Sequence, residues 1–372
     1  MRILLANHRY FPAPGGTERV VQTLAENLAH RGHHVTVLTQ MEPEVPEEEW
    51  INGVRVIRIP TRSVAGARIP SAYLRHLRSV DADLFHLHGN RIWCADFYFP
   101  VARLFDWPQV LTGHGFYQYE MHPRPRDRWY FERYFPWAVR AFDAYVCLTE
   151  HERDQLRSWG VPDARLQRIP EGAEVGEFAS APQSMESVRA RWALPTPHVA
   201  VYAGGFFENK RIDRLIEAVA RVRDRWGLVL LGRDVPASPH NAAYCAARAQ
   251  QLGVSVRILG AVPRPDVVSS FLAADAIVSA SEYEGFGISI AEALAAGRPF
   301  VAWRAGAIPE MAASGGGFVV DSDAAFGDAL TRLEDEAVRD AMGRQGRVAS
   351  KDWSVDVMVS RHIELYRRFV SG

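Results

Sequence analysis

Cysteine is scarce in this chain of 372 residues: there are three, Cys94, Cys147 and Cys245, far apart and without CxxC spacing. Each lies in or beside an apolar segment, which reads as buried free thiols in a reducing compartment. Long hydrophobic runs are missing too. RILLA near the start is far too short for a signal h-region, and nothing approaches the ~18 apolar residues of a spanning helix. A cytoplasmic protein is expected. Charge of one sign is also lacking, since the formal net charge is -1. A nucleic-acid binder would carry a strongly basic domain or stripe, so no nucleic-acid partner is expected and any basic surface is local. The chain has no short-period repeat, no low-complexity tract and no GxGxxG dinucleotide fingerprint.

What is present is the balance of a soluble globular protein, 48% hydrophobic and 23% charged. The length exceeds one ordinary hydrophobic core, which predicts about two domains. Short apolar runs alternate with helix-length segments: RILLANH, a helix from about 17 to 30, HVTVLTQ, LFHLHG, QVLTGHG and AYVCLTE. Near-continuous apolar strands between helices predict an α/β protein whose parallel sheet is covered on both faces. Across 172–197 the pattern weakens and reads as a linker region. It restarts with VAVYAGG, a helix from about Lys210, GLVLLG, VRILG, AIVSA and PFVAW. Two doubly wound sheets in tandem follow, with ligands expected at strand C-terminal ends and in the crevice between the halves. The last stretch places Val355, Met358, Val359, Ile363, Tyr366 and Val370 on one helical face, which must pack on something.

Glycines stand where anions could be held. Gly15 and Gly16 follow the first strand and open a strongly periodic helix. There the backbone can approach a ligand closely, and free N–H groups with the helix dipole favour a phosphate. Taken alone, such a pair is more often a turn. In the second half Gly204 and Gly205 follow a strand, with Lys210 and Arg211 at a helix start. Cations in a first helical turn oppose the dipole, a preference that an anionic ligand reverses; solvated surface charge is the alternative. In EYEGFGISIAE, Glu284 stands in a strand-to-helix loop and Glu292 about one turn into the helix, on a face shared with Ile288, Ala295 and Ala296. A carboxylate there needs partners, and sugar or ribose hydroxyls are suitable ones. The amides from Gly285 through Phe286 and Gly287 to Ile288 would point at a phosphate or a sugar oxygen.

Glu-x7-Glu with GFG between, after a GG loop in the first half and a lysine following the first strand of the second, resembles the retaining glycosyltransferases of family 4, which have the GT-B fold. The resemblance covers nearly the whole chain, through GGTERVVQTLAENLAHRGHHVTVLT, DADLFHLHG, VLTGHG, RIPEG, KRIDRLIEA and LGAVPRPDVVSSFLAADAIVSASEYEGFGISIAEALAAGRP. It implies two Rossmann-like domains facing a central cleft. An acceptor domain would span 1–175 and be joined by a terminal helix at about 355–372, and a donor domain would span 176–354. Residue by residue, it implies that Glu284 lies by the donor sugar hydroxyls and Glu292 holds the ribose. Gly285, Phe286, Gly287 and Ile288 would give backbone contacts to sugar and diphosphate. Gly16, beside Gly15, would approach the diphosphate, Lys210 would neutralise it, and His114 would stand near the reaction centre. Ala261 and Val262 would flank the nucleobase. Two positions depart from the family. Gly205 replaces its diphosphate arginine, for which Arg211 or Arg9 is a candidate substitute, and Glu171-Gly172-Ala173-Glu174 replaces N-G-V-D.

The implied reaction moves a hexose-type sugar from a nucleotide-diphosphate donor to a glycan, lipid-linked saccharide or small molecule, without metal or resident cofactor. Retention in such enzymes is explained by front-face attack, so Glu284 is not assigned as a nucleophile. A GT-B-like nucleotide-sugar epimerase and a non-catalytic nucleotide-sugar-binding subunit are the alternatives. Asp81-Ala-Asp83 and Asp321-Ser-Asp323 read as caps or turns beside strands rather than metal sites. His86 and His88 alternate like packed strand residues, and Gly89 beside them could line the cleft. The stretch 122–137 mixes Arg124, Arg126, Arg128 and Arg133 with six aromatics. It is a candidate for peripheral contact with an anionic lipid or membrane face, against the alternative of a core-facing helix with a solvated basic side.

Overall fold

The structure is a computed structural model that describes all residues except 14, 65–66, 71–72, 90–103, 117–129, 180–181 and 371–372. Contacts divide the chain into two units, one formed by Met1–Gly172 with the helix Val355–Val370, the other by Ala173–Ser354.

The first unit carries strands β1 (Arg2–Ala6), β2 (His34–Gln40), β3 (Glu48–Ile51), β4 (Val54–Ile59), a separate hairpin of β5 (Thr61–Val64) and β6 (Ala67–Pro70), then β7 (Leu84–His88), β8 (Gln109–Thr112), β9 (Ala144–Cys147) and β10 (Leu166–Arg168). Eight of them form one sheet in the order β10-β9-β8-β7-β1-β2-β4-β3. All its neighbours run parallel except the β3–β4 pair at the edge. Leu4, Phe85, Leu87, Leu111, Phe135 and Tyr145 form the core beneath it. The chain first builds outward from β1 to β2 and β4, then crosses to β7, which makes the β1–β7 boundary a topological switch point. Helix Val355–Val370 packs on helix Gly16–His30 and on β7, and its apolar stripe of Met358, Val359, Ile363 and Tyr366 is buried as the periodicity requires.

The second unit is one parallel sheet, β13-β12-β11-β14-β15-β16, built from β11 (His198–Ala203), β12 (Trp226–Leu231), β13 (Val256–Gly260), β14 (Ala276–Ser279), β15 (Phe300–Trp303) and β16 (Gly317–Val320). Its switch point lies between β11 and β14. Tyr202, Phe206, Trp226, Leu230, Trp303 and Phe326 fill its core.

Two sequence expectations need correction. The weak stretch 172–197 is no linker where it is described: it folds as a short helical turn Val175–Ala179 and a helix Met185–Trp192 within the second unit. Few large apolar residues suffice because Phe178, Val188 and Trp192 are all buried, Phe178 against Phe271. The first sheet also has an antiparallel edge that the α/β alternation does not predict. Its signal is the Asn52-Gly53 turn, both residues at positive φ, flanked by apolar runs as in a tight hairpin. Cys147 and Cys245 are buried free thiols, while Cys94 lies outside the described residues. Most of the 122–137 stretch lies outside them as well; of its described end, Phe135 is buried and Trp137 is exposed. No helix among the described residues is long and apolar enough to cross a membrane.

Gly172, the last residue of the first segment, lies against the start of the returning helix: a Cβ there would come within 2.6 Å of Val355 Cα. Backbone cannot give way as a flexible side chain does. Gly172→Val is therefore expected to destabilise the protein by about 1–3 kcal/mol in a denaturant titration. Gly176→Val, where a Cβ meets nothing within 4 Å, is the matched control. Equal midpoints for the two variants would show that this crossing is not tightly packed.

Candidate functional site

In the second unit the chemistry-bearing residues collect at the C-terminal ends of strands, around the switch point. The loop after β11 supplies Gly204, Gly205 and Lys210; the loop after β14 supplies Glu284. Lys210 Nζ donates to Glu284 Oε1 at 2.6 Å, and Ser281 Oγ donates to the same oxygen at 2.7 Å. Both long side chains are mostly shielded, at 22% and 14% exposure, so the pair is neither a loose surface contact nor a fully buried one. Lys210 and Arg211 do not occupy a first helical turn, as the sequence suggested. Lys210 ends a 3-10 turn, Glu208–Lys210, and Arg211 is the left-handed cap before the helix Ile212–Val219. Arg211 pairs with Asp213 at 3.1 Å and with Glu282. Its bond to Asp213 raises the guanidinium pKa well above the ordinary value. Surface solvation therefore describes neither residue, and Arg211 is already paired with Asp213 and Glu282 rather than left open to replace the arginine missing at Gly205.

The Gly204-Gly205 loop is shaped by close backbone approach. Gly232 has φ +141, and a Cβ on it would lie 1.8 Å from Gly204 O. A Cβ on Gly204 would lie 2.6 Å from the Tyr202 hydroxyl, which donates to Gly205 O at 3.0 Å. Gly306, at φ +46, has the same relation to the other loop: its Cβ would lie 1.5 Å from Glu284 O.

Beyond Glu284, Gly287 at φ 95 caps the helix Ile288–Ala295. Phe286 is buried, and the N–H groups of Gly285, Phe286, Gly287 and Ile288 donate to no acceptor among the described residues. A run of open amides at a helix N-terminus is an anion cradle. Glu292, only 5% exposed, has a partner that the sequence reading missed: Arg264 Nη1 at 2.7 Å. Arg264 Nε also donates to Glu177 Oε2 at 2.6 Å. Burial works to lower the Arg264 guanidinium pKa, but Glu292 and Glu177 outweigh it and hold the group charged. Ala261, exposed, and Val262, half-buried, follow β13 just before the helix that carries Arg264.

In the first unit, Gly15 caps the helix Gly16–His30, but the anion position is occupied by the chain itself. A Cβ on Gly15 would lie 1.9 Å from Glu18 Oε2, so that carboxylate folds back over the helix start. Burial raises the pKa of the Glu18 carboxyl. Arg9, the other candidate substitute, pairs with Glu42 at 2.7 Å.

His114 sits at positive φ, 53°, in the turn after β8. Its Nδ1 bonds Glu171 Oε1 at 2.9 Å and its Nε2 meets His88 Nδ1 at 3.0 Å, so neither ring nitrogen is free. Glu171 is the first residue of the departing E-G-A-E motif, and this bond gives the departure a function: it fixes the imidazole. If the His114 ring is neutral, its Nδ1–H donates to Glu171 and its Nε2 accepts from His88. The buried Nε2 of His88 then has no hydrogen-bond partner among the described residues. Burial holds His88 and His86 well below the ordinary histidine pKa, hence neutral. His86 bridges Tyr366 Oη at 2.6 Å and Thr112 Oγ1 at 2.8 Å, as a packed strand histidine does. The two Asp-x-Asp sequences are also accounted for, since Asp81 and Asp83 pair with Arg2, Asp321 with Arg304, and Asp323 with Arg214.

The turn that carries His114 rests on Glu152, which the sequence reading passed over. This buried carboxyl accepts from Gly115 N and from Leu148 N at 2.7 Å. Burial raises it from its ordinary value of 4.5 to about 7. The folded protein thus keeps a proton that the unfolded chain releases near pH 4.5. The stability this contributes is complete at lower pH and is lost as pH rises through about 7. Glu152→Gln, which does not titrate, is expected to show a flatter decline in unfolding midpoint than the unsubstituted protein between about pH 5 and 8. Identical slopes would remove Glu152 as the source.

Comparison with known proteins finds relatives along most of the chain. Residues 14–177 match the model of Glycosyltransferase Family 4, and residues 184–349 that of Glycosyl transferases group 1. A D-inositol 3-phosphate glycosyltransferase of Kineococcus radiotolerans is 28% identical, covering 96% of this chain and 91% of its own. A GDP-mannose:cellobiosyl-diphosphopolyprenol alpha-mannosyltransferase of Xanthomonas campestris is 25% identical, covering 98% of this chain and 96% of its own. The solved sucrose-phosphate synthase of Thermosynechococcus elongatus superposes with a TM-score of 0.82 at 22% identity, covering 100% of this chain and 99% of its own, a likeness of fold alone. With two parallel-sheet α/β units of GT-B type and family matches that together span most of its length, the chain belongs to the group 1 glycosyltransferases of family 4.

Proposed function

We propose that this glycosyltransferase is a retaining hexosyltransferase that uses a nucleoside-diphosphate sugar and needs neither a metal nor a resident cofactor. The observation that carries the reading is the Lys210–Glu284 pair at the switch point, beside the open amides of Gly285–Ile288. Departure of a nucleoside diphosphate builds negative charge on the leaving group and positive charge at the anomeric carbon. An ammonium and a helix N-terminus aimed at the leaving group stabilise the first. Glu284, held by Lys210 and Ser281, presents a carboxylate to sugar hydroxyls; Glu292 does so to the ribose, with Arg264 fixing its direction. In the first unit, Glu171 and His88 orient His114 next to the transferred sugar. Attack by the acceptor from the face of the departing diphosphate, whose phosphate takes the proton, gives retention.

The names of the relatives support this reading: one is a GDP-mannose-dependent transferase acting on a lipid-linked saccharide, the other acts on an inositol phosphate. The acceptor is accordingly a hydroxyl of a glycan, a lipid-linked saccharide or a small molecule. Contact of the 122–137 stretch with an anionic membrane surface belongs to the same reading. It predicts co-sedimentation with anionic liposomes that fades as salt rises, and no binding even at low salt would dispose of it.

The closing test is a thermal-shift screen of UDP- and GDP-sugars, followed by turnover of the donor that stabilises the protein. Lys210→Ala and Glu292→Ala are each expected to lose at least about 10 to 150-fold in rate, the value of a charge-assisted contact felt in the transition state. Folded variants with unchanged turnover would remove these assignments. Donor binding without transfer would point instead to a non-catalytic subunit, and an epimerised free donor to an epimerase.

A further inference from the structure

We infer that Arg233 supplies the cation for the donor diphosphate that Gly205 cannot. The inference rests on the nucleotide-sugar reading above and concerns a residue that reading does not use. Gly205 has no side chain, and a Cβ there would lie 2.5 Å from the Phe207 ring. The other cations around the strand ends of the second unit are matched by carboxylates. Lys210 is held by Glu284, Arg211 by Asp213 and Glu282, and Arg264 by Glu292 and Glu177. In that set carboxylates outnumber cations, so an incoming diphosphate would meet excess negative charge despite the amide cradle. Desolvating a phosphate there without a further cation is costly.

Arg233 is the exception. It follows β12, the strand beside β11, at the C-terminal edge where doubly wound sheets bind ligands. Its guanidinium has no carboxylate partner among the described residues and is exposed. Its position is nonetheless fixed from two sides. Phe206 N donates to Arg233 O at 3.0 Å, tying the residue to the Gly204-Gly205 loop, and the guanidinium carbon lies 5.6 Å from the centre of the Phe207 ring. Gly232 brings the two loops into backbone contact immediately before it. An arginine stacked on an aromatic keeps its N–H edge available for two oxygens of a phosphate. Phe207, at 40% exposure, is an open platform for that stacking.

Isothermal titration with UDP and GDP at low salt, on the full chain, tests the assignment. Arg233→Ala is expected to weaken whichever nucleotide the unsubstituted protein binds by about 10 to 150-fold, and Arg233→Lys by less. Arg344→Ala, an exposed arginine on the helix Glu336–Ser350, controls for net charge and is expected to bind normally. Because Arg233 is exposed, both Arg233 variants should melt as the unsubstituted protein does. Unchanged binding by Arg233→Ala, or an equal loss in Arg344→Ala, overturns the inference and leaves the nucleotide reading standing. Binding of neither UDP nor GDP by the unsubstituted protein overturns that reading and this inference with it.

Discussion

The bond from Lys210 to Glu284 joins the loop after β11 to the loop after β14, two strands that are neighbours in the sheet but far apart in sequence. The local architecture of the second unit depends on that join. With Ser281 on the same carboxylate oxygen and Gly306 pressed against the Glu284 carbonyl, the residue is held from side chain and backbone together. The open amides that follow begin from a fixed point, so their direction is set before any ligand arrives. Such preorganisation is what makes a dipole effective toward a developing charge. A neutralised lysine is also a weaker magnet for phosphate than a bare one, which is why the surrounding balance of charge matters.

The first unit solves a different problem, the burial of polar groups beneath a sheet. His86, His88, His114 and Glu152 are removed from water, and each is given bonds that limit the cost. His114 gains a fixed ring and a strained backbone, and Glu152 braces the turn from below. At the start of the Gly16–His30 helix, Glu18 supplies the negative charge that the dipole favours. A ligand anion approaching that helix has to displace a carboxylate rather than fill an empty place.

The sequence carries most of the architecture because its strands are short apolar runs and its helices strongly periodic, from RILLA to the stripe on Val355–Val370. It is less clear where tertiary context overrides composition. Phe178 and Trp192 anchor a stretch that looks like linker, and the β3–β4 edge is signalled only by Asn-Gly. At the site, motif spacing finds Glu284, Glu292, Lys210 and His114 but not their partners. Arg264 lies 28 residues before Glu292 by number and Glu171 lies 57 from His114, so only the fold brings them together. Arg211 shows the limit from the other side: its sequence position suits a phosphate, yet Asp213 two residues later claims it.

Tyr366 reaches His86 from a helix that follows the whole of the second unit in the chain. During synthesis, therefore, the first sheet emerges with His86 lacking that partner and with the surface that receives the helix uncovered. The second unit, whose core is drawn only from 173–354, can complete itself in the interval. The unit made first is thus finished last, and an apolar face of its sheet stays uncovered until Val355–Val370 arrives.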